Sequence, residues 1–186
     1  MEKMKVSELM QPVSEFPKIY CEATFAQAVD ALEKAQQDYA SGKASQRILL
    51  VYDDTQKIVG KLSPLDVVYG LEPNYDNIDS LKDLSYYRIP ESVFKNIKET
   101  FRLWQQPLSK LCTKAVEIKI KNCIRKPLPN HILDVNDSMD KAFHLFVVGR
   151  NDSLFVMEGK EIVGLIRFSD VYRKIAETLR ACPIPG

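Results

Sequence analysis

Apolar residues recur at helical spacing in some stretches and in short continuous runs in others, and this change of period outlines the elements. Phe25, Ala28, Val29, Leu32 and Ala35 form one helical stripe, and Thr24 with Gln27 makes a capping box ahead of it, so a helix is predicted from Phe25. A brief strand, Ile19 to Cys21, precedes it. Two further strands, Ile48 to Tyr52 and Lys57 to Leu62, follow as a hairpin around a polar turn. Ser63 and Pro64 then open a second helix, with the hydroxyl at the N-cap and proline at N1.

The same succession returns later in the chain. IVGKLSPLDVVY (Ile58 to Tyr69) lies over IVGLIRFSDVYR (Ile162 to Arg173), with Ile, Val, Gly, Asp and Val in register. ILLVYDD (Ile48 to Asp54) is answered by SLFVME (Ser153 to Glu158), EATFAQAVDAL (Glu22 to Leu32) by NDSMDKAFHLF (Asn136 to Phe146), and VSELM (Val6 to Met10) by IKNCI (Ile120 to Ile124). One supersecondary unit is therefore used twice. Register requires an insertion between helix and hairpin in the first copy, which fits QQDYASGKAS (Gln36 to Ser45), a helix extension and polar loop around Gly42.

The second copy reads as a strand at Ile132 to Val135, a helix from about Met139 to Val148 ending at Gly149, strands near Leu154 to Met157 and Glu161 to Ile166, and a last helix from Ser169 to Arg180. Between the copies a connector carries its own amphipathic helix, opened by Pro90 and closed by Pro107, with Val93, Phe94, Ile97, Phe101 and Trp104 on one face. That face needs a partner, either the rest of the chain or a second copy. The expected organisation is a first repeat over residues 4–71, a helical connector over 72–114, a second repeat over 115–180 and a tail over 181–186.

Composition narrows the function classes. The 186 residues can bury a real core, and 45% apolar with 27% charged residues is ordinary globular usage. Lysine and arginine total 26 against 25 acids, a net charge of +1 that gives no basic field for nucleic acid. The longest apolar runs, Ile48 to Tyr52 and Leu145 to Val148, are far short of the ~20 residues that span a bilayer. The amino terminus, MEKMKVSELMQP, lacks the apolar core of a secretion signal, so a cytoplasmic protein without membrane or nucleic-acid partners is expected. Cys21, Cys112, Cys123 and Cys182 form no C-x-x-C pair and read as buried thiols.

Candidate chemistry concentrates at the two helix starts. Ser63-Pro64-Leu65-Asp66 is a sound N-terminus in its own right, with an acid at N3 favourable to the helix dipole. The same hydroxyl and carboxylate, with free amides around them, also suit a ligand, and the residues alone leave both readings open. The second copy keeps Asp170 at the same offset from its glycine but has Arg167 in place of the serine. Lys119, Lys121, Arg125 and Lys126 border VEIKIKNCI, an alternating strand-like stretch whose solvated face they form, or from which they contact phosphate. His131 and His144 have no metal-ligand spacing, and no base is placed beside Cys21 or Cys123 for nucleophilic work, so no enzyme is expected.

A strand-helix-strand-strand-helix unit used twice, each hairpin running into Gly-x-x-x-x-x-Asp, resembles a tandem pair of cystathionine-β-synthase (CBS) domains, the Bateman module. GKLSPLD (Gly60 to Asp66) fits the family pattern of glycine, two apolar residues, a hydroxyl and an aspartate except at Lys61; GLIRFSD (Gly164 to Asp170) departs at Arg167. The resemblance implies an α/β (α+β) protein of two β-α-β-β-α repeats packed by pseudo-twofold symmetry. It also implies clefts between them for AMP, ADP, ATP or S-adenosylmethionine as regulatory ligands, with no required cofactor and no metal. Carried over, Asp66 and Asp170 would hold ribose, Ser63 and Arg167 phosphate. Val13, Ile19 and Tyr20 in the first copy, with Leu128, Leu133 and Asp134 in the second, would line adenine slots. A stand-alone sensor acting on an unidentified regulated protein, and a homodimer, follow from the same likeness; the alternative is a ligand-free module that docks a partner through its helices.

Overall fold

The computed structural model describes residues 4–72, 91–103, 115–124 and 126–181. A two-residue strand β1 (Gln11–Pro12) leads into the first repeat, formed by β2 (Lys18–Tyr20), α1 (Phe25–Ala40), β3 (Leu49–Tyr52), β4 (Ile58–Leu62) and α2 (Pro64–Leu71). α3 (Glu91–Thr100) stands in the connector. The second repeat follows as β5 (Ile132–Asp134), α4 (Met139–Gly149), β6 (Ser153–Glu158), β7 (Glu161–Arg167) and α5 (Phe168–Ala181). Apart from the strand-like entry stretch of the second repeat, every predicted strand and helix of the two repeats is present, with ends displaced by a residue or two.

Each repeat builds a sheet around a crossover helix. β2 pairs with β3 in parallel and β3 with β4 antiparallel; β5, β6 and β7 repeat that order, and β1 adds antiparallel to β7. The parallel pairs require α1 and α4 as crossovers. Even the irregularities match: register shifts after Val51, opposite Gly60, and after Val156, opposite Gly164. α1 has 16 residues against 11 in α4. The rest of the expected insertion falls in the loop before β3 and, by one residue, in the hairpin turn rather than wholly between helix and hairpin.

The entry segments exchange partners. Val6 N–H donates to Asp137 O (2.9 Å), Ser7 N–H to Val135 O (3.2 Å) and Met139 N–H to Met4 O (3.1 Å), so the start of the chain is bound to the second repeat. Reciprocally, Ile120 N–H donates to Ala23 O (3.0 Å), Lys121 N–H to Cys21 O (3.1 Å) and Phe25 N–H to Ile118 O (2.9 Å). Val6 is buried in a core with Leu133, Met139, Phe146 and Ile166; Ile120 is buried with Ile19, Leu32, Leu49 and Leu62. Each repeat's core is completed by a residue that the sequence repeat assigns to the other.

A third cluster, Phe16, Leu50, Phe155 and Leu165, lies between the sheets with Ile58 and Ile162 packed against it. Lys61 stands where the second copy has Leu165, which explains how a lysine is accommodated at this apolar station. It is 7% exposed, and its Nζ lies 5.6 Å from the Phe155 ring centroid. The ammonium donates to Ser153 O (3.0 Å) and Ser153 Oγ (2.5 Å), with Asp152 Oδ1 at 3.4 Å. A buried cation so placed holds β4 of one repeat to β6 of the other.

Two expectations are corrected. VEIKIKNCI is not a strand: Lys119 makes an isolated bridge to Thr24, and Ile120–Asn122 then turn as 3-10 helix, because the segment docks across the first repeat for one residue and must bury Ile120. The connector helix ends at Thr100, where Arg102 adopts a left-handed φ of 52° and Leu103 N–H closes on Lys98 O (3.0 Å). Pro90, Trp104, Pro107, Cys112, Arg125 and Cys182 lie outside the described residues.

Candidate functional site

Both helix starts close on themselves at the same spacing, with different chemistry. At α2, Ser63 N–H and Oγ–H both donate to Asp66 Oδ2, at 2.8 and 2.6 Å, and Asp66 is 2% exposed. At α5, the Arg167 guanidinium grips Asp170 at two points, Nε to Oδ2 and Nη2 to Oδ1, each 2.7 Å. The side chains of this pair are 16% and 7% exposed. A planar fork matched to a carboxylate in a desolvated place is the strong form of an ion pair. The third nitrogen, Nη1, donates to Ser45 O at 3.2 Å, so the pair also ties α5 to the first repeat's loop.

Arg167 lines a cavity of about 540 Å³. Tyr39, Arg47 and Ile48 form its first-repeat wall; Arg150, Asn151 and Asp152 border it from the loop before β6, and Phe168, Ser169 and Tyr172 from α5. The longer α1 and its loop thus build the part of this wall carried by Tyr39 and Arg47. Arg47 sits 5.5 Å from the Tyr39 ring centroid and donates to Gln36 Oε1 (3.3 Å). Arg150 follows α4 in a left-handed conformation, φ 47°, where a glycine is usual. At Gly149, expected to end the helix, an added Cβ would meet Asn151 Nδ2 at 2.5 Å, so the Asn151 side chain, which donates to Leu145 O (3.1 Å), would have to swing aside. Three guanidinium groups against Asp152 make a cavity fitted to an anion, and the aromatic rings offer stacking faces.

Asp170 lines a second, smaller cavity of about 160 Å³ with Glu8, Leu9, Gln11, Arg173, Lys174 and Glu177. Gly164 is close to its β1 side: an added Cβ would lie 2.5 Å from Gln11 O. The motif glycine of this copy is needed for β1 to approach β7. No pair of the two cavities' linings includes Ser63 or Asp66.

The six expected adenine-slot residues are not gathered at either cavity. Ile19 and Leu133 are spent on the cores of the first and second repeats, and Val13 packs against the cluster between the sheets. Leu128 is exposed. Asp134 caps its own turn, accepting from Asn136 N–H (2.9 Å). Tyr20 stacks at a tilt on Tyr52, and its hydroxyl donates to Asp54, whose carboxylate holds the phenol up to about 12. Lys121 is paired with Glu22 at 2.7 Å, which raises its pKa. Tyr39, Arg47, Arg150 and Tyr172 were absent from the sequence-based site; the available signal was the insertion and the basic residue directly after Gly149.

Among the described residues no group of three His, Cys, Asp or Glu is placed to hold a metal ion, and no helix is long and apolar enough to cross a membrane.

No protein-family model and no curated protein matches the chain. Solved structures do. CBSX2 in complex with AMP aligns over 95% of this chain and 98% of its own, at 16% identity and a TM-score of 0.54. The CBS domain of the bacterial CNNM/CorC family Mg2+ transporter in complex with ATP aligns over 94% and 89%, at 19% identity and 0.52. An uncharacterized conserved protein from Pyrococcus horikoshii aligns over 100% and 99%, at 13% identity and 0.52. The fold is that of a tandem CBS-domain pair, as the repeat and its hairpin motif led one to expect.

Proposed function

We propose that this chain is a regulatory module that binds an adenine nucleotide between its repeats and thereby changes its affinity for a partner. The cavity beside α5 carries the reading: Arg47, Arg150 and Arg167 converge on it beside Tyr39 and Tyr172, groups suited to phosphate and to a base. Structures of the same fold with AMP and with ATP support it. Arg167 is the proposed phosphate donor in this cleft, and Asp170, which it holds and which lines the smaller cavity, the proposed ribose acceptor; Ser63 and Asp66 are the corresponding proposal at α2. Ligand binding would act by favouring one arrangement of the repeats, since the cavity wall comes from both.

The test is a thermal-shift panel of AMP, ADP, ATP and S-adenosylmethionine at millimolar concentration on the full chain. A saturating nucleotide should raise the melting temperature by several degrees, at roughly 2–4 °C per kcal/mol of binding linkage for a chain of this size. No shift with any of the four rejects the sensing role.

That result would favour the docking module. Its supporting observation is the exposed apolar surface on the helices: Leu65 and Val68 of α2, Val147 of α4, and Tyr172 and Leu179 of α5. The same surface is the proposed homodimer contact, which light scattering on the purified chain decides.

A further inference from the structure

Arg167 lines the larger cavity and Asp170 the smaller, so their ion pair stands at the boundary between the two. A ligand in the larger cavity that engages the Asp170 carboxylate has to part it. The geometry points to Arg167 as a selectivity element: we propose that it admits to this cleft only adenosine ligands that carry phosphate, by occupying Asp170 until a second anion releases it. This rests on the nucleotide-binding role proposed above.

Both oxygens of Asp170 are taken by the guanidinium, at 2.7 Å each. Ribose hydroxyls reaching for that carboxylate therefore compete with a charged, two-point donor, and neutral hydroxyls are the weaker partners. Adenosine would also strand a largely buried guanidinium without an anion. AMP brings the replacement with it, because a phosphate accepts the same bidentate grip and finds Arg47 and Arg150 in the same wall. S-adenosylmethionine carries no phosphate, and its sulfonium and ammonium oppose the three guanidinium groups, leaving its single carboxylate as a weaker replacement. Release of Arg167 also removes its hydrogen bond to Ser45 O in the first repeat, so occupancy of the cleft is felt across the repeat boundary.

Isothermal titration of the full chain with AMP and with adenosine, with Arg167 kept and with Arg167→Ser, tests this. Ser63 and Asp66 line neither cavity, so all titrations are made in an Asp66→Ala background, which removes the ribose acceptor proposed at α2 and leaves the cleft beside α5 as the site read. The parent with Arg167 should bind AMP at least about tenfold more tightly than adenosine, and Arg167→Ser should bring the two within about threefold by gaining adenosine and losing AMP. Arg167→Lys, which keeps the charge and loses the two-point grip, should narrow the ratio by a smaller factor; it carries the test alone if the serine variant does not fold. AMP binding with an unchanged ratio in the variants overturns the selectivity role and leaves nucleotide binding standing. Failure of that parent to bind AMP overturns both.

Discussion

The starts of α2 and α5 occupy equivalent stations in the two repeats, directly after a hairpin strand and beside a buried aspartate, yet they satisfy that aspartate differently. Asp66 accepts from the backbone and hydroxyl of Ser63; Asp170 is held by a guanidinium. The first arrangement is a cap whose donors are uncharged and intrinsic to the helix end. The second is a charge pair that could be traded for another charge. Equivalent geometry therefore does not mean equivalent chemistry: the serine end closes on donors of its own, and the arginine end places a guanidinium on the wall of a cavity of about 540 Å³.

Removing each aspartate measures that difference. Asp170→Ala strands a buried guanidinium and should cost about 3 kcal/mol in denaturant unfolding. Asp66→Ala, losing a cap, should cost about 1–2 kcal/mol. Equal losses would mean that the two ends are energetically alike.

The exchanged entry segments offer the next contrast. Ile120→Ala should destabilise by about 3 kcal/mol and Val6→Ala by roughly 2, each emptying the core of the opposite repeat. A negligible effect of either would contradict the exchange. Lys61→Met asks whether the cation between the sheets is needed: because Leu165 fills the equivalent place with an apolar side chain, the change in stability should stay within about 1 kcal/mol.

The smallest effect concerns pH. Asp54 holds the Tyr20 phenol up to about 12 against an ordinary 10.0, so the folded state binds that proton more tightly. The contribution is complete below pH 10.0 and is lost as pH rises through about 12. Absorbance titration of wild type against Tyr20→Phe should show one phenol titrating near 12, and Asp54→Asn should bring it down. A phenol at 10.0 in wild type would show that this hydrogen bond does not persist in solution.

The repeat was legible because both copies keep one periodicity and one hairpin motif, and with it the fold followed. Which repeat each entry segment completes was not legible: Val6 and Ile120 are short apolar signals that fit either core. That Ile19 and Leu133 belong to the repeat cores was not legible for a related reason, since alternation in a three-residue strand does not say which face meets a cleft and which a core. Ser63 and Asp66 were legible as a cap, and the cap is what the structure contains. Arg167 was visible as a departure from the motif, but its grip on Asp170 depends on rotamers that spacing does not encode. Tyr39, Arg47 and Arg150 reach the cavity through an insertion and a left-handed turn, where periodicity carries no information.

The proposed role of the cleft beside α5 is to hold a nucleotide by exchanging one anion for another. A crystal structure of the full chain with AMP tests it most directly. The expected density places phosphate against Arg167, Arg47 and Arg150, with the Arg167–Asp170 pair parted and the Asp170 carboxylate on the ribose. AMP bound elsewhere with that ion pair intact would contradict it.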